Sequence, residues 1–366
     1  MQILMCFGTR PEAIKMAPLY HELQKNNFDV KVCVTAQHRQ MLDQVLDFFK
    51  IVPDYDLDLM KPNQTLNSLS ANILSKIDEV LTTVHPDLVL VHGDTTTSSM
   101  VALAAFHLGI KVGHVEAGLR TYNKEAPFPE EINRQFTSKI ADIHFTPTAA
   151  ATQNLLKEGV SQNNIVETGN TVIDALLWTI DKIGNTKYSH LEIENLKEIL
   201  PIGKKMVLVT GHRRENFGEG FVNLCEALLS VSERDDVAIV YPVHLNPHAK
   251  DIVYAKLANK NSIYLIPPLS YPAFVWLMQH SFLIVTDSGG IQEEAPTLGK
   301  PVLVTRTVSE RPEGVEAGFS ILVGTEQQII EDNIVAILDY FSGFENAINP
   351  YGQGDASKKI VAFLLK

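Results

Sequence analysis

The sequence has few cysteines, no long apolar run and no excess of basic residues. Its three cysteines, Cys6, Cys33 and Cys225, are far apart, so neither a disulfide framework nor a zinc site is predicted. No apolar run reaches the roughly 20 residues that span a bilayer, and the N-terminal residues lack the basic flank of a signal peptide. We therefore expect a cytoplasmic protein without a membrane partner.

The charge balance and two missing motifs disfavour further classes of protein. The net charge of −12 disfavours nucleic acid and anionic membranes as partners, so an anionic substrate needs local positive charge. Neither the G-x-G-x-x-G dinucleotide fingerprint nor a Walker A loop occurs in the chain, which disfavours NAD and ATP as ligands.

Short apolar runs instead alternate with helical patterns along the whole chain. In the first half the runs are Ile3–Phe7, Val30–Thr35, Leu88–His92, Val112–Glu116, Ile143–Thr146 and Ile165–Thr168. In the second half they are Met206–Thr210, Ala238–Val243, Ile263–Ile266, Leu283–Thr286, Pro301–Thr305 and Ser320–Val323. Strands that alternate with helices form parallel sheets, so the pattern predicts an α/β protein with two Rossmann-like, doubly wound sheets.

The length of 366 residues and the two series of strands predict two domains. We place an N-terminal domain at 1–170, a C-terminal domain at 171–350, and a final helix at 351–366 that packs back on the N-terminal domain. Ligands of open α/β sheets bind beyond the carboxyl ends of the strands. Two such domains are therefore expected to face each other across a binding cleft.

The first apolar run leads into a loop that carries two cations. Gly8 permits a tight turn, and Pro11 suits the first turn of a helix. Arg10 and Lys15 lie near this helix start, where they would meet phosphate groups. A capped helix with a solvated arginine and lysine is the alternative interpretation.

Carboxylates follow the next strands of the first half. Asp94 comes directly after an apolar run, either as a helix cap or as an acid/base group. Glu116 ends the following run, where an ionised carboxylate needs a partner. A later loop supplies Glu130 and Glu131, and we interpret Glu131 as a solvated surface residue. Several carboxylates at one cleft can differ in proton affinity, as acid/base catalysis requires.

In the second half, His212 follows a strand and is flanked by two arginines. It is predicted either to exchange a proton near neutrality or to hydrogen bond a phosphate.

The segment after the apolar run Leu283–Thr286 predicts a diphosphate site. Ser288, Gly289 and Gly290 let the chain turn tightly into a helix beginning near Gln292, and a helix start presents unpaired N–H groups to an anion. Arg311, beyond the next strand, suits a phosphate or a carboxylate. The alternative is an ordinary β-turn-α connection with surface charges.

Together these motifs resemble the non-hydrolysing UDP-N-acetylglucosamine 2-epimerases of bacteria. Five segments at family spacing carry the resemblance: Gly8–Pro18, His92–Thr95, Gly113–Thr121, His212–Asn216 and Asp287–Glu294. The resemblance implies a GT-B-like fold, a homodimer and interconversion of UDP-GlcNAc with UDP-ManNAc, supplying ManNAc for surface polysaccharide. It also implies that UDP leaves C1 as a C2 proton is removed, giving a 2-acetamidoglucal to which UDP is added back. No metal or redox cofactor is implied.

Residue roles follow from the same resemblance. The implied catalytic residues are Asp94, Glu116, Glu130 and His212. The implied substrate residues are Arg10, Lys15, Ser288, Gly289, Gly290 and Arg311 near the diphosphate, with Glu294 at the ribose hydroxyls.

Two departures from the family pattern affect specificity and regulation. Where the family has Arg-Asp-Thr-Thr-Glu-Arg-Pro-Glu, residues 306–313 read Arg-Thr-Val-Ser-Glu-Arg-Pro-Glu, which motivates a related epimerase of a modified UDP-sugar such as a diacetamido uronate. Some relatives bind a second UDP-GlcNAc as an activator, which would involve Gln37, His38 and Gln40 here. Asn63 stands where those relatives carry an arginine.

Three further functions stay open at this point. A GT-B glycosyltransferase needs an acceptor and has little use for three carboxylates. A hydrolysing epimerase releases free ManNAc and UDP, and a silent nucleotide-sugar sensor carries out no chemistry.

Overall fold

The computed structural model describes residues 1–35, 39–60, 64–211, 218–244, 246–309, 311–344 and 348–366, without the side chains of 39, 40 and 247–249. The described residues form two compact units. Unit 1 comprises Met1–Trp178 and Tyr351–Lys366, and unit 2 comprises Thr179–Pro350. The division falls inside the helix Thr171–Gly184. The domain limits drawn from the sequence stay predictions.

Unit 1 is built on a parallel sheet. Its strands are β1 (Gln2–Phe7), β2 (Asp29–Val34), β3 (Tyr55–Asp56), β4 (Leu88–His92), β5 (Lys111–Val115), β6 (Ile143–Thr146) and β7 (Ile165–Glu167). Its helices are α1 (Arg10–Lys25), α2 (Arg39–Phe49), α3 (Leu66–Val84), α4 (Thr96–His107), α5 (Glu130–Ile140), α6 (Ala149–Lys157), α7 (Thr171–Gly184, which runs on into unit 2) and the last helix of the chain, Ala356–Leu364. Among the described residues the strand order is β3-β2-β1-β4-β5-β6-β7.

Unit 2 repeats this plan. Its strands are β8 (Lys205–Thr210), β9 (Val237–Pro242), β10 (Ile263–Ile266), β11 (Leu283–Thr286), β12 (Val302–Val304) and β13 (Ser320–Leu322). Its helices are α8 (Leu191–Ile199), α9 (Glu219–Val231), α10 (Pro247–Leu257), α11 (Tyr271–His280), α12 (Gly289–Glu294), α13 (Pro312–Glu316) and α14 (Gln327–Tyr340), so the final helix Ala356–Leu364 is α15. The described strands run in the order β10-β9-β8-β11-β12-β13.

The central strands form because nearly every residue in them is apolar and buried. All five residues of β4 and all four of β11 are buried, as expected for parallel strands covered by helices on both faces. The helices begin at clear signals. The start of α1 has a capping box between Thr9 and Glu12, with Pro11 in the first turn.

Each sheet has a point at which the strand order reverses, between β1 and β4 in unit 1 and between β8 and β11 in unit 2. Ligands of doubly wound folds bind beyond the carboxyl ends of the strands at such a switch point. The predicted site segments Gly8–Lys15, His92–Thr95 and Asp287–Glu294 follow β1, β4 and β11.

The predicted fold class, α/β with two Rossmann-like parallel sheets, is confirmed. Four predicted strands have the observed bounds, and eight differ by one residue at an end or at both. The two-residue strand β3 was not predicted. Across the described residues, no helix has the length and apolar character required to cross a membrane.

Candidate functional site

Glu116, immediately after β5, is the centre of a buried polar cluster. Its backbone adopts φ 61°, in the left-handed region that a residue with a side chain rarely occupies. Its Oε2 accepts hydrogen bonds from Lys15 Nζ and, at 2.8 Å, from Asn170 Nδ2. His92 Nε2 lies 3.8 Å from the same oxygen. We call Lys15, His92, Glu116 and Asn170 the Glu116 cluster.

The exposures and the histidine protonation state define the charge of this cluster. The Lys15 and Glu116 side chains are only 11% and 8% exposed, so the interpretation of Lys15 as a solvated surface residue is wrong. Burial lowers the pKa of His92 to about 4, with Glu116 raising it and Lys15 lowering it, so the imidazole is neutral at pH 7. The cluster therefore holds one ammonium and one carboxylate beside a neutral imidazole.

Asp94 follows β4 and is paired with a buried arginine. Arg134 Nη2 donates to Asp94 Oδ2, and the Asp94 side chain is 28% exposed. Burial raises the pKa of Asp94; the charge of Arg134 opposes this shift, and Glu116 adds to it. The N-cap of α4 is Thr95, so the alternative interpretation of Asp94 as that helix cap is wrong. A partly accessible carboxyl with a raised pKa is suited to proton transfer.

Glu130 and Glu131 occupy the first turn of α5 but have different surroundings. Glu130 is half-buried. Glu131 is fully buried and accepts the backbone N–H groups of Thr121 and Tyr122, each at 3.0 Å. The interpretation of Glu131 as a solvated surface residue is wrong, because the preceding loop folds over its carboxylate.

The loop between β1 and α1 is held by Glu12. Its Oε2 accepts the backbone N–H groups of Gly8 (3.0 Å) and Thr9 (2.8 Å), and its Oε1 accepts the hydroxyl of Thr95 (2.8 Å). Burial raises the pKa of Glu12 to about 7, against the opposing effect of these hydrogen bonds. Glu12 thus joins the start of α1, where Arg10 is half-buried, to the loop that follows β4.

In unit 2, the helix after β11 starts earlier than predicted. It begins at Gly289, with extended Ser288 as its N-cap, so the predicted start near Gln292 is wrong by three residues. Both glycines therefore lie in the first turn of the helix rather than in a turn before it. Gly289 and Gly290 therefore contribute their backbone N–H groups to the helix start.

Arg311 lies against this helix. A Cβ built on Gly289 would be 3.6 Å from the guanidinium carbon of Arg311, and Arg311 Nε donates to Glu293 Oε1. Its backbone N–H donates to Ser309 Oγ at 3.0 Å, and that hydroxyl donates to Gln292 Oε1 at 2.7 Å. The structure therefore brings the Arg311 guanidinium next to Gly289, the first residue of the helix that follows Ser288.

Glu294 ends the same helix. It is 6% exposed, and its Oε1 accepts a 2.9 Å hydrogen bond from the hydroxyl of Tyr271 at the start of α11. The carboxylate is thus held from a second element of unit 2.

Some predicted site residues lie outside the described residues. These are His212, Gln37 and His38, together with the side chain of Gln40 in α2. In the part of the chain that is described, no group of three or more His, Cys, Asp or Glu side chains is arranged to hold a metal ion.

Sequence reasoning missed several residues that support the predicted ones. Glu12 had a recognisable signal, because Thr9 and Glu12 have capping-box spacing before an apolar helix. Asn170, Arg134 and Tyr271 had none, since their partners are distant in the sequence.

Comparison with known proteins agrees with the motifs. A family model described as UDP-N-acetylglucosamine 2-epimerase matches residues 21–365. The UDP-N-acetylglucosamine 2-epimerase of Escherichia coli (strain K12) is 52% identical over 369 residues, covering 100% of this chain and 98% of that protein.

Solved structures are similar over the whole chain. The crystal structure of UDP-GlcNAc 2-epimerase from Neisseria meningitidis bound to UDP-GlcNAc is 48% identical, covers 100% of both chains and superposes with a TM-score of 0.93. The Methanocaldococcus jannaschii UDP-GlcNAc 2-epimerase in complex with UDP-GlcNAc and UDP is 35% identical, with a TM-score of 0.84 over 100% of this chain and 99% of that one. On the strength of the family match and of this full-length identity, the chain belongs to the UDP-N-acetylglucosamine 2-epimerase family.

Proposed function

We propose that the protein interconverts UDP-GlcNAc and UDP-ManNAc by inverting C2, and that it does so without releasing free sugar. Family membership and full-length similarity to an epimerase bound to UDP-GlcNAc support this substrate. The observation that carries the chemistry is the pair of carboxylates in different environments, Asp94 beside Arg134 and Glu116 beside Lys15.

The reaction that fits these groups is elimination followed by addition. The C2 proton is not next to a carbonyl, so its removal depends on departure of UDP from C1, which leaves a 2-acetamidoglucal. Return of a proton to the opposite face of C2 and reattachment of UDP complete the inversion. The sequence is redox-neutral and requires no cofactor.

Two faces of C2 require more than one acid/base group. We assign this role to Asp94, Glu116, Glu130 and His212. Asp94 and Glu116 interact electrostatically, so their proton affinities are coupled.

Substrate binding is assigned within each unit. In unit 1, Arg10 and Lys15 at the start of α1 are assigned to the substrate's negative charge. In unit 2, Ser288, Gly289, Gly290 and Arg311 are assigned to the diphosphate, and Glu294 to the ribose hydroxyls. Oriented donors of this kind stabilise the charge that develops on a leaving diphosphate.

We propose a homodimer, because two neighbouring helices of unit 1 expose large apolar side chains. Phe106 is 62% exposed at the end of α4, and Ile132 and Phe136 are 50% and 39% exposed on α5. Large apolar side chains exposed on neighbouring helices are the kind of surface that a partner subunit covers. Sedimentation equilibrium tests this proposal, which predicts a dimer mass, and a monomer at micromolar concentration contradicts it.

The cellular role is also a proposal. The enzyme acts in the cytoplasm and supplies ManNAc for surface polysaccharide, and a second UDP-GlcNAc bound near Gln37, His38 and Gln40 activates it. We expect the rate to rise sigmoidally with the concentration of UDP-GlcNAc. If the protein converts UDP-ManNAc with hyperbolic kinetics when no UDP-GlcNAc is added, the proposal that UDP-GlcNAc is an activator is wrong.

Incubation of the purified protein with single UDP-sugars tests the substrate. We expect UDP-ManNAc from UDP-GlcNAc with no acceptor present, which excludes a glycosyltransferase. Free ManNAc would indicate a hydrolysing enzyme, and turnover confined to a UDP-diacetamido uronate would indicate the modified sugar suggested by the altered residues 307–309.

Variants test the assigned roles. Asp94→Asn, Glu116→Gln and His212→Asn are each expected to lower kcat by at least about a hundredfold, as loss of acid/base groups does, with UDP affinity retained. Glu125→Gln, at an exposed carboxylate, is the control. Near-normal rates in all three variants would overturn the assignment.

A further inference from the structure

Asn170, between β7 and α7, is 2% exposed and has each polar group engaged. Its side-chain Oδ1 accepts the backbone N–H of Val172 at 3.0 Å, and its Nδ2 donates to Glu116 Oε2 at 2.8 Å. Its own backbone N–H donates to the carbonyl of Tyr351 at 2.7 Å. The amide orientation is unambiguous, because the N–H of Val172 requires an acceptor on one side and the Glu116 carboxylate requires a donor on the other.

The Tyr351 carbonyl reaches Asn170 because two glycines meet. Gly169 adopts φ 87°, and a Cβ placed on it would be 3.3 Å from both Gly352 Cα and the Tyr351 carbonyl oxygen. Backbone therefore packs against backbone at this point, and a side chain would push the two segments apart. The Tyr351 side chain, 1% exposed, packs with Val172 in the same small core.

A second contact fastens the same segment to α7. Asp174 accepts the backbone N–H of Ala356 at 3.2 Å and of Ser357 at 2.9 Å, and these residues form the first turn of α15. The negative carboxylate thus satisfies donors at a helix start. Residues 351–357 are consequently held to the beginning of α7 at two places.

We propose that Asn170 is a positioning residue for Glu116, and that the C-terminal segment, residues 351–366, holds Asn170 in place. The inference rests on the proposed function, in which Glu116 transfers a proton of the substrate. Glu116 needs such support because its own backbone is strained at φ 61°. The charged and titratable groups that face it are Lys15 from α1, His92 from β4 and Asp94 from the following loop.

The physical effect of Asn170 is on charge as well as on geometry. A donor to an ionised carboxylate favours the ionised form. The Asn170 amide also fixes the rotamer in which Glu116 accepts the hydrogen bond from Lys15. Removal of this donor should therefore raise the pH at which Glu116 gains or loses its proton during turnover.

Substitutions at Asn170 separate this role from helix capping. Asn, Asp and Ser are about equally good N-caps, so Asn170→Ser and Asn170→Asp both retain an acceptor for Val172 N–H. Asn170→Ser removes the donor to Glu116, whereas Asn170→Asp replaces it with a second carboxylate. We measure kcat, KM and the pH dependence of kcat on UDP-GlcNAc, with melting temperature as the folding control.

The expected result is graded. Asn170→Ser lowers kcat by roughly tenfold or more, keeps KM within about twofold, and moves the limb of the kcat profile that reports on Glu116 about one unit to higher pH, as loss of a hydrogen bond to a charged group implies. Asn170→Asp moves that limb further in the same direction. Asp174→Ala is expected to give a smaller shift of the same sign.

Three results overturn the inference in different ways. If the wild type turns over UDP-GlcNAc but the pH profile of kcat is unchanged in both Asn170 variants, Asn170 only caps α7 and the proposed function stands. If the pH profile of kcat shifts in the Asn170 variants but is unchanged in Asp174→Ala, only the proposed role of the C-terminal segment is wrong. A wild type with no epimerase activity overturns the proposed function and this inference together.

Discussion

The ion pair between Lys15 and Glu116 permits a quantitative prediction for Lys15→Met. Methionine approximates the length and volume of the lysine stem, so the substitution removes a charge with little change in packing. Both side chains are nearly buried, at 11% and 8% exposure. Loss of one partner of a buried pair costs about 3–5 kcal/mol, because the remaining charge stays buried. Asn170 Nδ2 still donates to Glu116, so we expect a loss near 3 kcal/mol.

The second substitution of the cycle identifies the cause. In Lys15→Met with Glu116→Gln, no unpaired charge is left, and we expect all but about 1 kcal/mol of the lost stability to return. The pH dependence has a definite sign. In the single variant, the lone buried carboxyl binds a proton more tightly when folded than when unfolded. The stability that Lys15→Met loses relative to wild type is therefore largest at high pH and becomes smaller as the pH falls.

The two tryptophans of the chain allow unit 1 to be followed separately. Trp178 lies in unit 1, with its ring 4.7 Å from that of Phe49, and Trp276 lies in unit 2. In a Trp276→Phe background, urea unfolding monitored by fluorescence reports on Trp178. With a slope of about 3 kcal/mol per molar urea, 3 kcal/mol shifts the midpoint by about 1 M. A double variant no more stable than Lys15→Met would refute the reasoning, because an unpaired charge would not be the cause.

Three further predictions concern stability and the site loops. Glu131→Ala should cost about 1–2 kcal/mol in urea unfolding, since the part-buried backbone N–H groups of Thr121 and Tyr122 lose their acceptor. Exposed Glu125→Ala should stay within about 0.5 kcal/mol, and equal losses in the two variants would contradict this prediction. Burial lowers the pKa of His144 to about 4, so below about pH 6.5 this histidine binds a proton in the unfolded state but not in the folded state. Between pH 7 and pH 5, His144→Gln should therefore lose about 2 kcal/mol less stability than wild type. Equal losses of stability in the two proteins would contradict this prediction. A Cβ on Gly8 would lie 2.0 Å from Thr35 Oγ1, so Gly8→Ala should cost about 2 kcal/mol or more and raise KM; wild-type stability and KM would show that the loop accommodates the methyl group.

Most of the fold could be predicted because parallel strands buried on both faces leave a direct trace in the sequence. Runs such as Leu283–Thr286 are apolar except for the final threonine and are separated by helical patterns, so their positions follow from the order of apolar and polar residues. The exception, β3, has two residues, Tyr55 and Asp56, and pairs with the end of β2. So short a strand depends on its neighbour and has no pattern of its own.

The candidate site could be predicted only in part, because strand ends are local features and side-chain partners are not. Asp94 and Glu116 stand out as carboxylates directly after buried strands. Asn170 is 54 residues from Glu116, and no spacing rule connects the two. Glu131 resembles any surface glutamate at a helix start until the loop at 121–122 is placed over it.

The start of α12 shows a different limit of sequence reasoning. Propensity places both glycines in a turn before the helix, yet the helix begins at Gly289, directly after the extended N-cap Ser288. Tertiary packing against Arg311 stabilises a helical turn that propensity disfavours.

Proton NMR of the purified protein with UDP-GlcNAc in deuterated water tests the central claim most directly. With no metal, cofactor or acceptor added, we predict UDP-ManNAc with deuterium at C2, because inversion proceeds through removal and return of that proton. UDP-ManNAc that retains its original C2 proton would contradict proton exchange, and unchanged UDP-GlcNAc at every pH tested would contradict the epimerase activity itself.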